Sequence, residues 1–159
     1  MCGIAGLFSF NSQPVEGLEH RLAAMSDLLQ HRGPDGDGLW VQSNQALGLA
    51  HRRLAIIDLT ESGAQPMHGA NGTVITYNGE IYNHKILREE LESKIGHIEW
   101  RGESDTETLL TGIRFWGLDA CLCRLNGMFS FALWDCVEHT LVLARDRMGE
   151  KPVYFGLSG

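Results

Sequence analysis

The residue with most chemistry in it stands one place from the start of the chain. If Met1 is removed, Cys2 carries a thiol and a free α-amine on one α-carbon. A thiol of pKa ~8.5 is a poor nucleophile until a base takes its proton, and an α-amine of ~7.7–8.0 has the strength to do so. N-terminal threonine nucleophiles work this way and need no histidine. The plainer reading of Cys2 is a half-buried thiol with no reaction to perform.

Two charged positions further on also call for an explanation. Arg53 follows His51 and Arg52 in an otherwise apolar strand, an interruption whose plain account is a strand end emerging into solvent. Asp105 follows Ser104, with Glu107 three residues after that serine, the pattern of a capping box, so Asp105 opens a helix whose dipole favours its ionised form. Between them lies Asn78-Gly79-Glu80, directly after a predicted strand. Asn-Gly after a strand usually turns a hairpin, but the following residues are helical in pattern, so a strand-to-helix corner with exposed N–H groups is expected.

The elements that must position these residues follow from periodicity. Gly3 to Phe10 is a short apolar run and predicts a buried strand with Cys2 at its start. Leu18, Leu22, Met25 and Leu29 predict a helix over 15–30, and the glycine-rich stretch from His31 to Gly38 an irregular loop. Strands are expected at Leu39–Val41, Ala46–Asp58 and Thr73–Tyr77, with a long connection from Leu59 to Gly72 that is a flap or a functional loop. A helix capped by Asn83 and stopped by Gly96 comes next, then a short strand at 98–100, the Asp105 helix and a short helix after Gly117. Met128–Asp135 predicts a strand apolar on both faces, with Phe129, Phe131 and Leu133 on one and Ala132 and Trp134 on the other. Thr140–Ala144 returns the chain, and a last strand is expected at 153–156. Hairpin-linked strands with inserted helices favour an α+β fold with mainly antiparallel sheets.

Composition narrows the function classes. The 159 residues carry a formal net charge of −7 with 13 scattered basic residues, which argues against nucleic acid. Length and composition fit one domain. No apolar run is long enough to span a bilayer and no leader pattern opens the chain, so a cytoplasmic protein with no membrane partner is expected. The four cysteines, Cys2, Cys121, Cys123 and Cys136, are read as reduced thiols. Cys121 and Cys123 diverge by ~200° on a helix, and no CxxC or HExxH pattern accompanies them, so no metal is expected.

Taken together, Met1-Cys2-Gly3-Ile4-Ala5-Gly6, His31-Arg32-Gly33-Pro34-Asp35, Leu49-Ala50-His51-Arg52-Arg53-Leu54, Tyr77-Asn78-Gly79-Glu80-Ile81-Tyr82-Asn83 and Glu103-Ser104-Asp105-Thr106-Glu107 resemble the class II glutamine amidotransferase domain, closest to that of the glutamine-hydrolysing asparagine synthetases. Asn126-Gly127-Met128-Phe129 and Arg145-Asp146-Arg147-Met148-Gly149-Glu150-Lys151-Pro152 extend the resemblance over nearly the whole chain. It implies an N-terminal-nucleophile hydrolase fold, two stacked antiparallel β-sheets between α-helical layers. It also implies hydrolysis of the L-glutamine side-chain amide through a thioester on Cys2, giving glutamate and ammonia.

By resemblance, Asn78 (side-chain amide) and Gly79 (backbone N–H) are the oxyanion donors. Arg53 binds the substrate carboxylate, Asp105 its α-ammonium, and Glu80 helps hold it. Arg32 braces the site, and His51 is structural because the N-terminal amine is already the base. The resemblance further implies that residues 1–159 are a C-terminally truncated glutaminase domain. A synthetase domain, absent here, would follow in the same chain and use the ammonia, with ATP and Mg confined to it; this domain then needs no cofactor. Asparagine made from aspartate and ATP is the leading product, with sugar or polysaccharide acceptors as the alternative, and a homodimer is left open. Two other readings stand beside it: a non-catalytic glutamine-binding or interaction module, if Met1 is retained, and a hydrolase of some other amide.

Overall fold

The computed structural model describes residues 1–157. Its first sheet is built from β1 (Gly3–Phe8), β2 (Gly36–Val41) and β3 (Leu47–Arg53), in the order β1-β3-β2 and antiparallel throughout. The second runs β4 (Met67–His68), β5 (Val74–Ile81), β6 (Gly127–Asp135) and β7 (Thr140–Arg145) in sequential antiparallel order. Four helices complete the chain: α1 (Leu18–Leu28), α2 (His84–Ile95), α3 (Asp105–Trp116) and α4 (Leu118–Arg124).

Alternation along the strands stacks these parts into four layers. On one face of the first sheet Ala50 packs with Leu18 and Leu22 of α1. On its other face Leu47 and Leu49 meet Val74, Ala132 and Trp134 of the second sheet. The far face of the second sheet offers Ile75, Tyr77, Phe129, Phe131 and Leu133 to Leu87 of α2, Leu109 and Leu110 of α3 and Cys121 of α4. The two-faced burial expected of β6 is therefore what locks the sandwich: its even and odd residues belong to different cores. Among the described residues no helix is long and apolar enough to cross a membrane.

Several boundaries differ from expectation. The first helix begins three residues late because Gly17 takes a left-handed conformation, φ 63°, and Val15 is tied to the neighbouring turn through Gln45 O. The Leu59–Gly72 connection is no free flap, since Met67–His68 pairs with Val74 and Ile75 at the sheet edge. Residues 98–100 and 153–156 form no strand.

The main correction concerns Asn78-Gly79. They lie within β5, opposite Ser130 and Phe129, rather than at a corner. Eight consecutive pairings with β6 carry the strand to Ile81, outweighing the local turn preference of Asn-Gly.

Candidate active site

The same alternation delivers the site. On β3, His51 and Arg53 follow Leu47 and Leu49 into the space between the sheets, while Arg52 turns to the α1 side. There Arg52 Nε bonds Ser26 O and Oγ at 3.0 and 2.9 Å, and Nη2 meets Asp27 at 2.5 Å. The run of three basic residues thus divides between two layers. On β5, Asn78 and Glu80 continue the inward row of Val74 and Thr76. Where the sheets part, Cys2, Arg53, Asn78, Gly79, Glu80 and Asp105 line one cleft.

Cys2 stands one residue beyond the Gly3–Arg52 pair. Its Sγ receives the Leu54 N–H at 3.4 Å and donates toward Leu54 O at 3.7 Å. Arg32 Nε donates to Cys2 O at 3.1 Å, a bracing contact from the short 3₁₀ turn Gln30–Arg32. That approach needs Gly33, where a Cβ would run into the backbone of Arg52 and Arg53. Met1 lines the cleft beside Cys2, and Lys151 Nζ lies 2.9 Å from Met1 Sδ.

Gly79 offers its N–H to the cleft by a register effect. Phe129, its partner on β6, directs its N–H to Asp146 Oδ2 at 3.2 Å and its carbonyl to Asp146 N at 2.8 Å, away from β5. The Gly79–Phe129 position is thus a non-hydrogen-bonded pair, and Gly79 N–H points to the opposite edge of β5. On that edge Tyr77 N–H is taken by Gln65 Oε1 at 2.7 Å and Ile81 N–H by Asp105 Oδ2 at 2.8 Å. Between these two satisfied donors the Gly79 N–H is bonded to no protein atom among the described residues. The Asn78 side chain, on a residue only 5% exposed, lines the same cleft.

Asp105 opens α3 behind the Ser104 cap, whose Oγ accepts from Thr106 N at 3.2 Å. The expected capping box does not close: Glu107 instead accepts the N–H groups of Arg101 and Gly102. Arg88 of α2 fixes the cap from outside through Gly102 O, Ser104 O and Thr108 Oγ1. Asp105 Oδ2 also accepts Tyr77 Oη at 2.9 Å. Burial raises the Asp105 pKa, against the pull of the Ile81 N–H, the Tyr77 hydroxyl and His84.

Arg53 is half-buried, with Nη1 on Thr60 O at 2.8 Å and Nη2 on Asp58 O. Among the described residues no carboxylate lies within ion-pair distance of it. His51 is 1% exposed and its Nε2 donates to Tyr77 O at 3.1 Å, leaving Nδ1 unprotonated and without a partner among the described residues. Burial first, then the Arg53 charge, pulls its pKa down to about 4 against the Tyr77 carbonyl. It is a neutral ring joining the two sheets.

Sequence pattern did not single out four contributors to this cleft: Asp58, Gln65, Tyr77 and Lys151. Lys151 is 5% exposed because Asp146 folds the 145–151 loop inward, accepting the N–H groups of Glu150 and Lys151. These bonds, with that from Phe129, hold the Asp146 carboxyl below its usual range despite the opposing effect of burial. No group of three or more metal-binding side chains occurs among the described residues.

Comparison with known proteins agrees with this geometry. A family model described as glutamine amidotransferase domain matches residues 1–159. The chain is 41% identical over 162 residues to asparagine synthetase [glutamine-hydrolyzing] 3 of Bacillus subtilis, covering all of this chain and 25% of that protein. It is 40% identical over 144 residues to amidase chry2 of Gibberella zeae, covering 90% of this chain and 20% of that one. The chain therefore spans a quarter or less of the length of these relatives. Among solved structures, the glutamine phosphoribosylpyrophosphate amidotransferase of B. subtilis superposes with a TM-score of 0.69 at 20% identity, over 92% of this chain and 37% of that one. That likeness is one of fold, and it agrees with the stacked-sheet N-terminal-nucleophile hydrolase architecture expected from the sequence. The chain belongs to the glutamine amidotransferase domain family.

Proposed function

We propose that this chain, once Met1 is removed, hydrolyses the side-chain amide of L-glutamine with Cys2 as nucleophile. The observation that carries the reading is the grouping, in one cleft, of a thiol, an aspartate and, among the described residues, an arginine with no carboxylate partner and a strand N–H with no acceptor. Glutamine presents the complements: an α-carboxylate for Arg53, an α-ammonium for Asp105 and an amide carbonyl for the nucleophile. Arg53 suits the carboxylate because its planar fork binds two oxygens at once. Glu80, on the same inward row as Asn78, adds a second negative group near the substrate.

In the reaction the Cys2 α-amine takes the thiol proton and the thiolate attacks the amide carbon. The resulting oxyanion is received by the Asn78 side-chain amide and the Gly79 N–H, the latter aimed by strand pairing before the substrate arrives. The Cys2 ammonium returns the proton to the leaving nitrogen, so ammonia departs and a thioester remains. The same amine then deprotonates a water that cleaves the thioester, giving glutamate and the free thiol. His51 takes no part, being buried and bonded to the Tyr77 carbonyl.

The ammonia would serve a synthetase domain of the same polypeptide, with asparagine made from aspartate and ATP as the leading product and the cytoplasm as the compartment. The name of the B. subtilis relative supports that acceptor. The domain itself needs neither metal nor cofactor for this chemistry. With Met1 retained, the Cys2 nitrogen is an amide without basicity and the cleft would be a binding module.

Mass spectrometry of the N-terminus combined with an ammonia-release assay tests the reading. Processed Met1 with turnover of glutamine but not asparagine is expected; a processed chain that releases no ammonia from glutamine would sink it.

A further inference from the structure

Asp58 meets Arg53 through its backbone carbonyl and not through its carboxylate. Asp58, 8% exposed, turns its carboxylate away from the guanidinium and fills it with four donors. Oδ1 accepts Thr60 N and Thr60 Oγ1 at 2.8 and 2.6 Å, and Oδ2 accepts Ser62 Oγ and Glu103 N, both at 2.9 Å. These bonds more than offset burial and bring its pKa down to about 2, so the group is ionised at neutral pH. What Asp58 does present to Arg53 is its backbone carbonyl, and the Thr60 carbonyl takes the other nitrogen.

The consequence is a guanidinium held from behind by two neutral carbonyls. Among the described residues no carboxylate cancels its charge, and three of its five N–H donors have no protein partner there. Two glycines make room: a Cβ at Gly63 would fall on Arg53 Nη2, and one at Gly102 on Ser62 Oγ and Asp58 Oδ2. The Glu103 bond also ties this loop to the residues preceding Asp105, so the seats of the two charges that face a substrate are set against one another.

We infer that Asp58 is a positioning residue that sets Arg53 for an α-carboxylate, and so gives the site its preference for an intact α-amino acid over the corresponding amine. The inference rests on the glutaminase reading. Its test compares L-glutamine with 4-aminobutanamide, the same molecule without the α-carboxylate, using the chain processed to begin at Cys2.

In Asp58→Asn the ratio of kcat/KM for glutamine to that for 4-aminobutanamide is expected to fall about tenfold or more, the effect of one lost charge-assisted hydrogen bond. Most of that change should lie in KM. Gly63→Ala reaches the same end without altering Asp58, because its methyl displaces only the flexible end of Arg53, and it should reproduce the fall. Near-UV circular dichroism confirms that each variant is folded.

An unchanged ratio in folded Asp58→Asn overturns the inference whatever Gly63→Ala does, as does an equal loss on both substrates, which would mark Asp58 as a general prop of the cleft. If the unsubstituted chain turns over neither compound, the glutaminase reading falls too. If it turns over glutamine with strong preference and the variants keep that preference, the Asp58 inference alone falls.

Discussion

Gly79 and Phe129 face each other across the β5–β6 ladder without a hydrogen bond between them, because Phe129 gives both its backbone groups to Asp146. The pairing turns the Gly79 N–H into the cleft, and it also leaves no room for a side chain. A Cβ on Gly79 would stand 2.6 Å from Phe129 Cα and 2.7 Å from its Cβ. Gly79→Ala must then push the strands apart, with an expected loss of about 1–3 kcal/mol of stability from overpacking. Urea denaturation measures it, and a variant as stable as the parent would show that the strands are looser than their register implies.

Asn78 allows the oxyanion contribution to be separated from the fold. No hydrogen bond from its side chain to the protein exists among the described residues, so Asn78→Ala should leave the thermal midpoint nearly unchanged. Loss of one oxyanion donor is worth about 10²–10³ in kcat. Steady-state ammonia release should therefore show kcat falling by that order with KM close to the parent value. A raised KM at constant kcat would reassign Asn78 to ground-state binding.

The sequence already contained the order of the elements, since each buried strand and helix has its own apolar period. It also contained the opposite charges of Arg53 and Asp105. What it could not contain was the end of β5: Asn78-Gly79 favours a turn locally, and only pairing with residues 127–130 keeps it extended. The apolar residues at 98–100 and 153–156 resemble strands but find no neighbouring edge. Asp58, Gln65 and Lys151 act through loops and long-range bonds, and polar residues in loops leave no periodic signal. Gln65 illustrates this, joining Tyr77 N and Thr106 Oγ1 across two elements.

Arg53→Lys should weaken glutamine binding while leaving the chemistry intact. A lysine has one nitrogen and cannot span the Asp58 and Thr60 carbonyls while also presenting two parallel donors to a carboxylate. KM for glutamine should rise by about tenfold or more, the scale of a charge-assisted hydrogen bond, with kcat within a few-fold of the parent. An unaltered KM would count against Arg53 as the carboxylate site.

Cys2 gives a prediction that separates binding from turnover. Cys2→Ala removes the nucleophile but leaves Arg53, Asp105 and the Gly79 N–H in place, so glutamine should still bind, as calorimetry would record, with no ammonia released. A chain that keeps Met1 should also be inactive, even though its thiol remains. Equal turnover by chains with and without Met1 would remove the α-amine from its role as base.

His51 makes the stability of the fold depend on pH. Its pKa is about 4 in the folded protein against an ordinary 6.5, because the ring is buried. Between these values the unfolded chain binds a proton that the native protein refuses, so stability must fall as pH drops from 6.5 toward 4 and level off below. The full difference is at most about 3 kcal/mol. Asp105, whose pKa is raised by burial, acts in the opposite sense, since its native state takes up a proton more readily as the pH falls. A His51→Gln variant keeps a donor for the Tyr77 carbonyl and deletes only the titration. Urea denaturation at pH 7, 6, 5 and 4.5 should give a shallower acid decline for the variant than for the parent, with the Asp105 contribution common to both. Parallel curves would mean that His51 is protonated in the native state and that the orphaned Nδ1 has found a partner.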